Sequence, residues 1–260
     1  MYRFAIYGKG GIGKSTVTTA LSCAFAEMGL RVLQVGCDPK ADSTLYLHGG
    51  QRIDTMLDVL RQKRDSADLA DLVHVGYKDI VCAEAGGPTP GLGCAGRGIA
   101  AAFEALEARD AFDIIQPDVV LYDVLGGCGV RRLRHAHPGG LCPPGLHRHL
   151  RREHGHLRGS QYRHGGGELP GAGLRFLGRP DSEPPRCAGR ACQSGNLAAD
   201  IHTDIAADLP RENAISDAEV QGLPVFETAP DSDYVNAVRD LARKMLADYD
   251  KENTHDSEAQ

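Results

Sequence analysis

The 260-residue sequence predicts an α/β fold built on a doubly wound parallel sheet, of the phosphate-loop NTPase type. Two observations carry this. Short apolar runs alternate with helical patterns, the grammar of βαβ units with right-handed crossovers. The first apolar run opens directly into a glycine-rich loop, GKGGIGKS, with a helical pattern behind it.

The elements follow in order. Residues Arg3 to Tyr7 read as a short buried strand, and Ser15 to Met28 as a helix that Gly29 stops. Leu30 to Val35 is a second apolar strand. Thr55 to Arg64 is helical, and Asp68 to Val73 a short helical turn. Ile80 to Ala83 is a strand. A Gly/Pro-rich loop, Pro88 to Gly98, precedes a helix from Ile99 to about Arg109, and Val119 to Tyr122 is a buried strand ending in Asp123. From Gly127 to Asn196 the pattern stops. It returns with an apolar-periodic Leu197 to Ala207, a strand-to-loop step at LPRE and an amphipathic helix from Tyr234 to Leu246. Residues 1–246 are expected to form a single domain, and 247–260 a polar, disordered tail.

The spacing G-x-x-x-x-G-K-S places Gly8, Lys9, Gly10, Gly11, Ile12, Gly13, Lys14 and Ser15 in a loop that binds ATP. Glycines let backbone N–H groups turn toward phosphate oxygens, and the helix N-terminus adds its positive dipole end. Lys14 is expected to reach the β- and γ-phosphates and Ser15 to hold Mg²⁺. Asp38, Lys40 and Asp42 follow the second strand, where side chains can touch Mg²⁺ or an attacking water. Asp123 is placed as the metal-side aspartate of such ATPases.

Composition narrows the class. No stretch is apolar enough to span a membrane and no secretion signal is read, so a cytoplasmic protein without a membrane partner is expected. In a reducing compartment the eight cysteines are ligands or core residues rather than disulfides. A net charge of −6 argues against nucleic-acid binding. The charge is uneven: residues 127–196 hold 12 Arg, no Lys and 4 acidic residues, so this stretch carries +8 and the rest −14. It also holds 7 of the 11 His, but their spacing fits no zinc pattern.

The strings YGKGGIGKST, VGCDPKADST, AGGPTPGLGCAGRG and YDVLG, in this order, resemble the nitrogenase iron protein (dinitrogenase reductase) family over Tyr2 to Gly126. The resemblance resumes over Leu197 to Leu246. It implies a homodimer holding one 4Fe–4S cluster between its subunits, two cysteines from each. It also implies ATP-gated delivery of single electrons from ferredoxin or flavodoxin to a larger nitrogenase catalytic component. By the same resemblance Cys94 is a cluster ligand and Cys37 and Cys82 are not. Arg97 is the arginine that some members carry ADP-ribosylated. Pro210 and Arg211, in LPREN, belong to the nucleotide site, and Asp123 starts a switch segment leading toward the cluster. The loop with Lys9 also resembles that of dimeric ATPases in which this lysine reaches the partner's nucleotide. Two alternatives stay open: a homologous reductase of nickel-porphinoid or chlorophyll-type tetrapyrrole synthesis, and a cluster-free partition- or maturation-type ATPase.

The family pattern continues after YDVLG with GD, two small residues and CGGFAMP, which contains the second cluster cysteine. This chain reads GGCGVRRLRHAHPGG, where Cys128 stands two positions early without the flanking pattern. One inserted base at the codons of Gly126–Gly127 accounts for the change. Read one frame over, Gly126 to Cys142 permits GDAVCGGFAMPIREGYA, and His147 to Asn196 permits a string with strands, a helix and an asparagine-containing adenine loop. One lost base then rejoins LAADI at Leu197. The chain as written is therefore expected to lack about two βαβ units, to fold poorly and to hold no cluster.

Overall fold

The apolar runs become strands because both of their faces are buried. The computed structural model describes residues 1–6, 11–87, 95–124, 176–178 and 205–258. Its main sheet contains β1 (Tyr2–Ile6), β2 (Val32–Gly36), β3 (His74–Val75), β4 (Val81–Glu84) and β5 (Val119–Asp123), in the order β1-β5-β2-β4-β3. The pairs β1–β5, β5–β2 and β2–β4 are parallel; β3 adds an antiparallel edge. Every residue of β2 and β5 is buried, as central parallel strands require.

Helices α1 (Lys14–Glu27), α2 (Met56–Lys63), α3 (Leu69–Leu72), α4 (Ala95–Glu107) and α5 (Ala111–Ile115) follow in chain order. Successive β2 side chains alternate between two cores. Val32 packs with α1 residues Leu21, Ala24 and Phe25, while Leu33 and Val35 pack with Met56 and Val59 of α2 and Ala102 and Leu106 of α4. This is the doubly wound arrangement expected. Capping sets the start of α2, where the Thr55 hydroxyl accepts from the Asp58 N–H at 3.2 Å. In α3, Asp68 and Asp71 form a reciprocal capping box.

Strands β6 (Phe176–Gly178) and β7 (Ile205–Asp208) form a separate parallel pair. The rest of 127–196 lies outside the described residues, and so do 197–204, the first part of the apolar-periodic stretch that ends in β7. Helices α6 (Asn213–Gln221), α7 (Val225–Thr228) and α8 (Asp233–Glu258) close the described chain.

Helix α8 continues past Leu246 to Glu258, into the stretch read from the sequence as a polar tail. Val235, Val238, Leu241, Ala242 and Met245 bury one face, and Tyr249 extends that stripe by one more turn. The Tyr249 ring meets Tyr2 and Phe4 edge-on at 5.1 and 5.6 Å, and the Tyr2 hydroxyl donates to Asp250 at 3.2 Å. Truncation after Leu246 is expected to lower unfolding stability by about 2 kcal/mol. A urea titration of the truncated and full chains checks this; an unchanged midpoint would show the last turns to be ornamental.

Candidate functional site

The site assembles at the carboxyl end of the sheet. Across the register Ile6 pairs with Asp123, Asp123 with Gly36, and Gly36 with Glu84. Residues in register share a face, and these lie on the α1 side together with Val32, Val119, Leu121 and Cys82. Gly36 therefore stands between two carboxylates. A Cβ there would meet Glu84 Oε2 at 1.9 Å and Ser43 Cβ at 2.8 Å, so only glycine leaves room for the glutamate.

The phosphate loop leaves β1 and enters α1. Gly8, Lys9 and Gly10 lie outside the described residues. Gly11 and Gly13 have φ of +80° and +90°, in the left-handed region that glycine adopts without strain. Gly13 caps α1 with no side chain to occupy the first N–H groups of the helix, the groups such a loop turns toward an anion. Ile12 is exposed, and Lys14 and Ser15 begin the helix.

Asp123 is 3% exposed and shares side-chain hydrogen bonds with Ser15 and Ser43. Burial lifts its pKa above the ordinary aspartate value. The two hydrogen bonds and the Lys14 charge oppose that rise, while the Asp38 charge adds to it. A hydroxyl and a carboxylate in contact, beside a lysine and an open helix N-terminus, suit Mg²⁺ bound to a nucleotide phosphate. Ser15 and Asp123 would hold the metal, and Lys14 with the loop N–H groups the phosphates.

The loop from Cys37 to Thr44 carries the other predicted residues. Cys37 N–H donates to the Asp123 carbonyl at 2.9 Å, and Asp38 Oδ1 accepts from Lys40 N–H at 3.0 Å. Asp42 is near enough to raise the Glu84 pKa. The far end of the loop rests on buried polar groups that the sequence reading did not single out. The Ser43 carbonyl accepts from Thr19 Oγ1 at 3.0 Å and from Gln34 Nε2 at 2.9 Å, and Gln34 Oε1 accepts from Ser22 at 2.7 Å. Glu84 Oε1 accepts from both the N–H and the hydroxyl of Thr44, at 2.8 and 2.9 Å. The available signals were a glutamine inside the apolar run VLQVG and a glutamate closing VCAE.

Burial pushes the Glu84 carboxyl up to about 7 against the pull of its Thr44 hydrogen bonds, with the Asp123 and Asp42 charges adding to the rise. Its folded pKa is raised, so its contribution to stability is full below the ordinary glutamate range and is lost as pH rises through about 7. Stability should decline over that window, and Glu84→Gln should flatten the decline. Thermal unfolding of both proteins at pH 5.5 and 8 tests this, and parallel pH curves would refute it.

Cys94 lies outside the described residues, and Arg97 falls in the first turn of α4. Cys23 and Cys82 are fully buried, and burial drives both thiols well above their ordinary range. Such thiols stay protonated and make poor ligands. Pro210 and Arg211 follow β7; among the described residues no hydrogen bond or ion pair joins them to the phosphate loop.

A parallel sheet with this loop between β1 and α1, and a buried aspartate ending the neighbouring strand, defines a phosphate-loop α/β protein of the ATPase type. Solved structures share the fold. The cell division ATPase MinD of Pyrococcus furiosus matches with a TM-score of 0.59 at 21% identity, over 95% of this chain and 98% of that one. A ParA family ATPase from Chlorobium tepidum matches with a TM-score of 0.59 at 17% identity, over 93% and 98%. A family profile described as 4Fe-4S iron sulfur cluster binding proteins, NifH/frxC family, matches residues 2–131. The nitrogenase iron protein of Methanospirillum hungatei is 36% identical over 269 aligned residues, covering 96% of this chain and 89% of its own length. That of Methanococcus voltae is 35% identical, covering 94% and 88%. The chain belongs to the NifH/frxC family of 4Fe–4S cluster binding proteins. Among the described residues no helix is long and apolar enough to cross a membrane.

Proposed function

We propose that this gene encodes an ATP-hydrolysing electron carrier of nitrogen fixation. It passes single electrons from a 4Fe–4S cluster to the nitrogenase catalytic component. The observation that carries this reading is that the strands leading to the two candidate sites end in one register row of one sheet. Asp123, beside the phosphate loop, lies in the same register row as Glu84, which ends the strand leading into the Cys94 loop. Relatives named nitrogenase iron protein support the acceptor.

In this reading the chain acts as a homodimer. Lys9 reaches the partner's nucleotide, and Asp38 and Asp42 orient the metal and the attacking water. Lys40, Pro210 and Arg211 contact the nucleotide. Cys94 is one cluster ligand from each subunit, and Arg97 is a site for ADP-ribosylation. The bound cluster supplies the one-electron couple. Ferredoxin or flavodoxin is the donor.

The reading includes a reading-frame change across residues 127–196. The family profile ends at residue 131, close to where the shift is placed. The decisive experiment has two parts. Resequencing codons 120 to 200 should return DNA that encodes the recovered string. The frame-restored protein should then support MgATP-dependent reduction by a nitrogenase catalytic component. Clean DNA whose neighbouring bases encode that string in no frame would end the frame proposal. Transfer only to a tetrapyrrole-synthesis partner would move the function to that branch.

A further inference from the structure

The loop that carries Asp38, Lys40 and Asp42 has to be held still if its carboxylates are to act on a metal or a water. Its first residue, Cys37, is tied to the Asp123 carbonyl. Its last two residues, Ser43 and Thr44, are buried and anchored by side chains from three elements. Thr19 comes from α1, Gln34 from β2 and Glu84 from β4. Thr19 and Gln34 hold the Ser43 carbonyl. Glu84 holds Thr44 through one oxygen that takes both of the residue's donors, the N–H and the hydroxyl.

The second Glu84 oxygen, Oε2, is buried and has no hydrogen-bond partner among the described residues. It rests against Gly36, in the space a Cβ would fill. A fully buried carboxyl with one orphaned oxygen costs stability. An alanine or valine at this strand end would fill the core without that cost, so a plain packing role does not account for the residue. The same side chain ends the strand that runs on through Ala85, Gly86 and Gly87 toward the Cys94 loop.

From this geometry we propose that Glu84 is a positioning residue for ATP turnover, fixing Thr44 and through it the Asp38–Thr44 loop beside Asp123. The assignment rests on the ATP-hydrolysing reading above. In this assignment Glu84 acts through Thr44 and not by contact with nucleotide or metal. Ser43, one residue before Thr44, shares a hydrogen bond with Asp123, so a loop that loses its Thr44 anchor loosens beside the metal-side carboxylate. The required feature is an accepting oxygen at this place. Glutamine supplies one and alanine does not.

The test uses the full-length, frame-restored protein and measures MgATP hydrolysis in the wild type, Glu84→Gln, Glu84→Ala, Thr44→Val and the Glu84→Ala/Thr44→Val pair. Glu84→Ala should lower kcat by about tenfold or more, because misplaced groups lose turnover faster than binding. KM for ATP should stay within about twofold of the wild type. Thr44→Val, which removes the hydroxyl bond and keeps the N–H bond, should lose a smaller factor, and the double variant no more than Glu84→Ala alone, since one interaction can be removed only once. Glu84→Gln should retain most of kcat. Thermal unfolding of the same set gives a second readout that needs no turnover: the two single losses should again fail to add. Wild-type kcat in Glu84→Ala, equal losses in Gln and Ala, or additive single effects would each overturn the assignment. If the wild type hydrolyses no ATP while the unfolding coupling is present, the ATPase reading fails and the Glu84–Thr44 anchor stands.

Discussion

A protein translated in one continuous frame across residues 127–196 is expected to bind one 4Fe–4S cluster per dimer, and the chain as written to bind none. The arithmetic of ligands decides this. Such a cluster takes four thiolates, and a shared site takes two from each chain. As written, each chain offers Cys94 in the family pattern and Cys128 outside it. The recovered reading places a cysteine codon across Val130 and Arg131, within CGGFAMP. The sheet gives a second reason. Phe4 and Ile6 of β1 are buried, yet among the described residues β1 pairs on one side only, with β5. An apolar parallel strand normally lies inside a sheet, and an open apolar edge invites aggregation. The β6–β7 pair stands apart instead of extending that edge. Iron analysis and the visible spectrum of both proteins, with Cys94→Ser in the restored chain as control, make the comparison. The restored dimer should hold the cluster, and Cys94→Ser should lose it entirely. A soluble dimer of the chain as written with a reducible cluster would sink the idea and promote Cys128 to ligand.

Much of the nucleotide half was legible because its signals are local. Glycines at fixed spacing, an apolar run before them and a helical pattern after them fix a strand–loop–helix whatever surrounds it. The strand ending in Asp123 was readable for the same reason, and lies within one residue of its expected bounds. What was missed is non-local. Gln34 and Glu84 look like blemishes in apolar strands until the register sets them in one buried network with Ser22, Ser43 and Thr44. That register joins residues 48 positions apart, which no periodicity encodes. The continuation of α8 past Leu246 is obscured by composition. Residues 248–260 are polar on average, but a helix needs only one residue per turn to reach the core, and Tyr249 supplies it. The antiparallel strand β3 was too short, at two residues, to show a period.

Replacing Asp123 with asparagine is expected to cost about a hundredfold or more in MgATP turnover while making the folded protein no less stable at neutral pH. The two effects share one cause. Asp123 is nine-tenths or more buried at the end of a central strand, where a negative charge is poorly solvated, so its pKa lies above the ordinary aspartate value. The folded chain therefore contributes most stability at this position when the carboxyl is neutral, and that contribution is lost as pH rises through the raised pKa. Asparagine keeps the shape and an oxygen for Ser15 and Ser43, and removes the buried charge. It also removes the negative oxygen that the Ser15 hydroxyl and the Lys14 charge surround, the feature a divalent cation would use. The expected pattern is loss of turnover with a melting temperature at neutral pH equal to or above that of the wild type, the trade found where function holds a group against the fold's preference. Hydrolysis assays and thermal unfolding of the frame-restored Asp123→Asn protein measure both. Normal turnover would remove Asp123 from the metal side of the site. A protein destabilised at every pH would make the carboxylate a structural partner of Ser15 and Ser43.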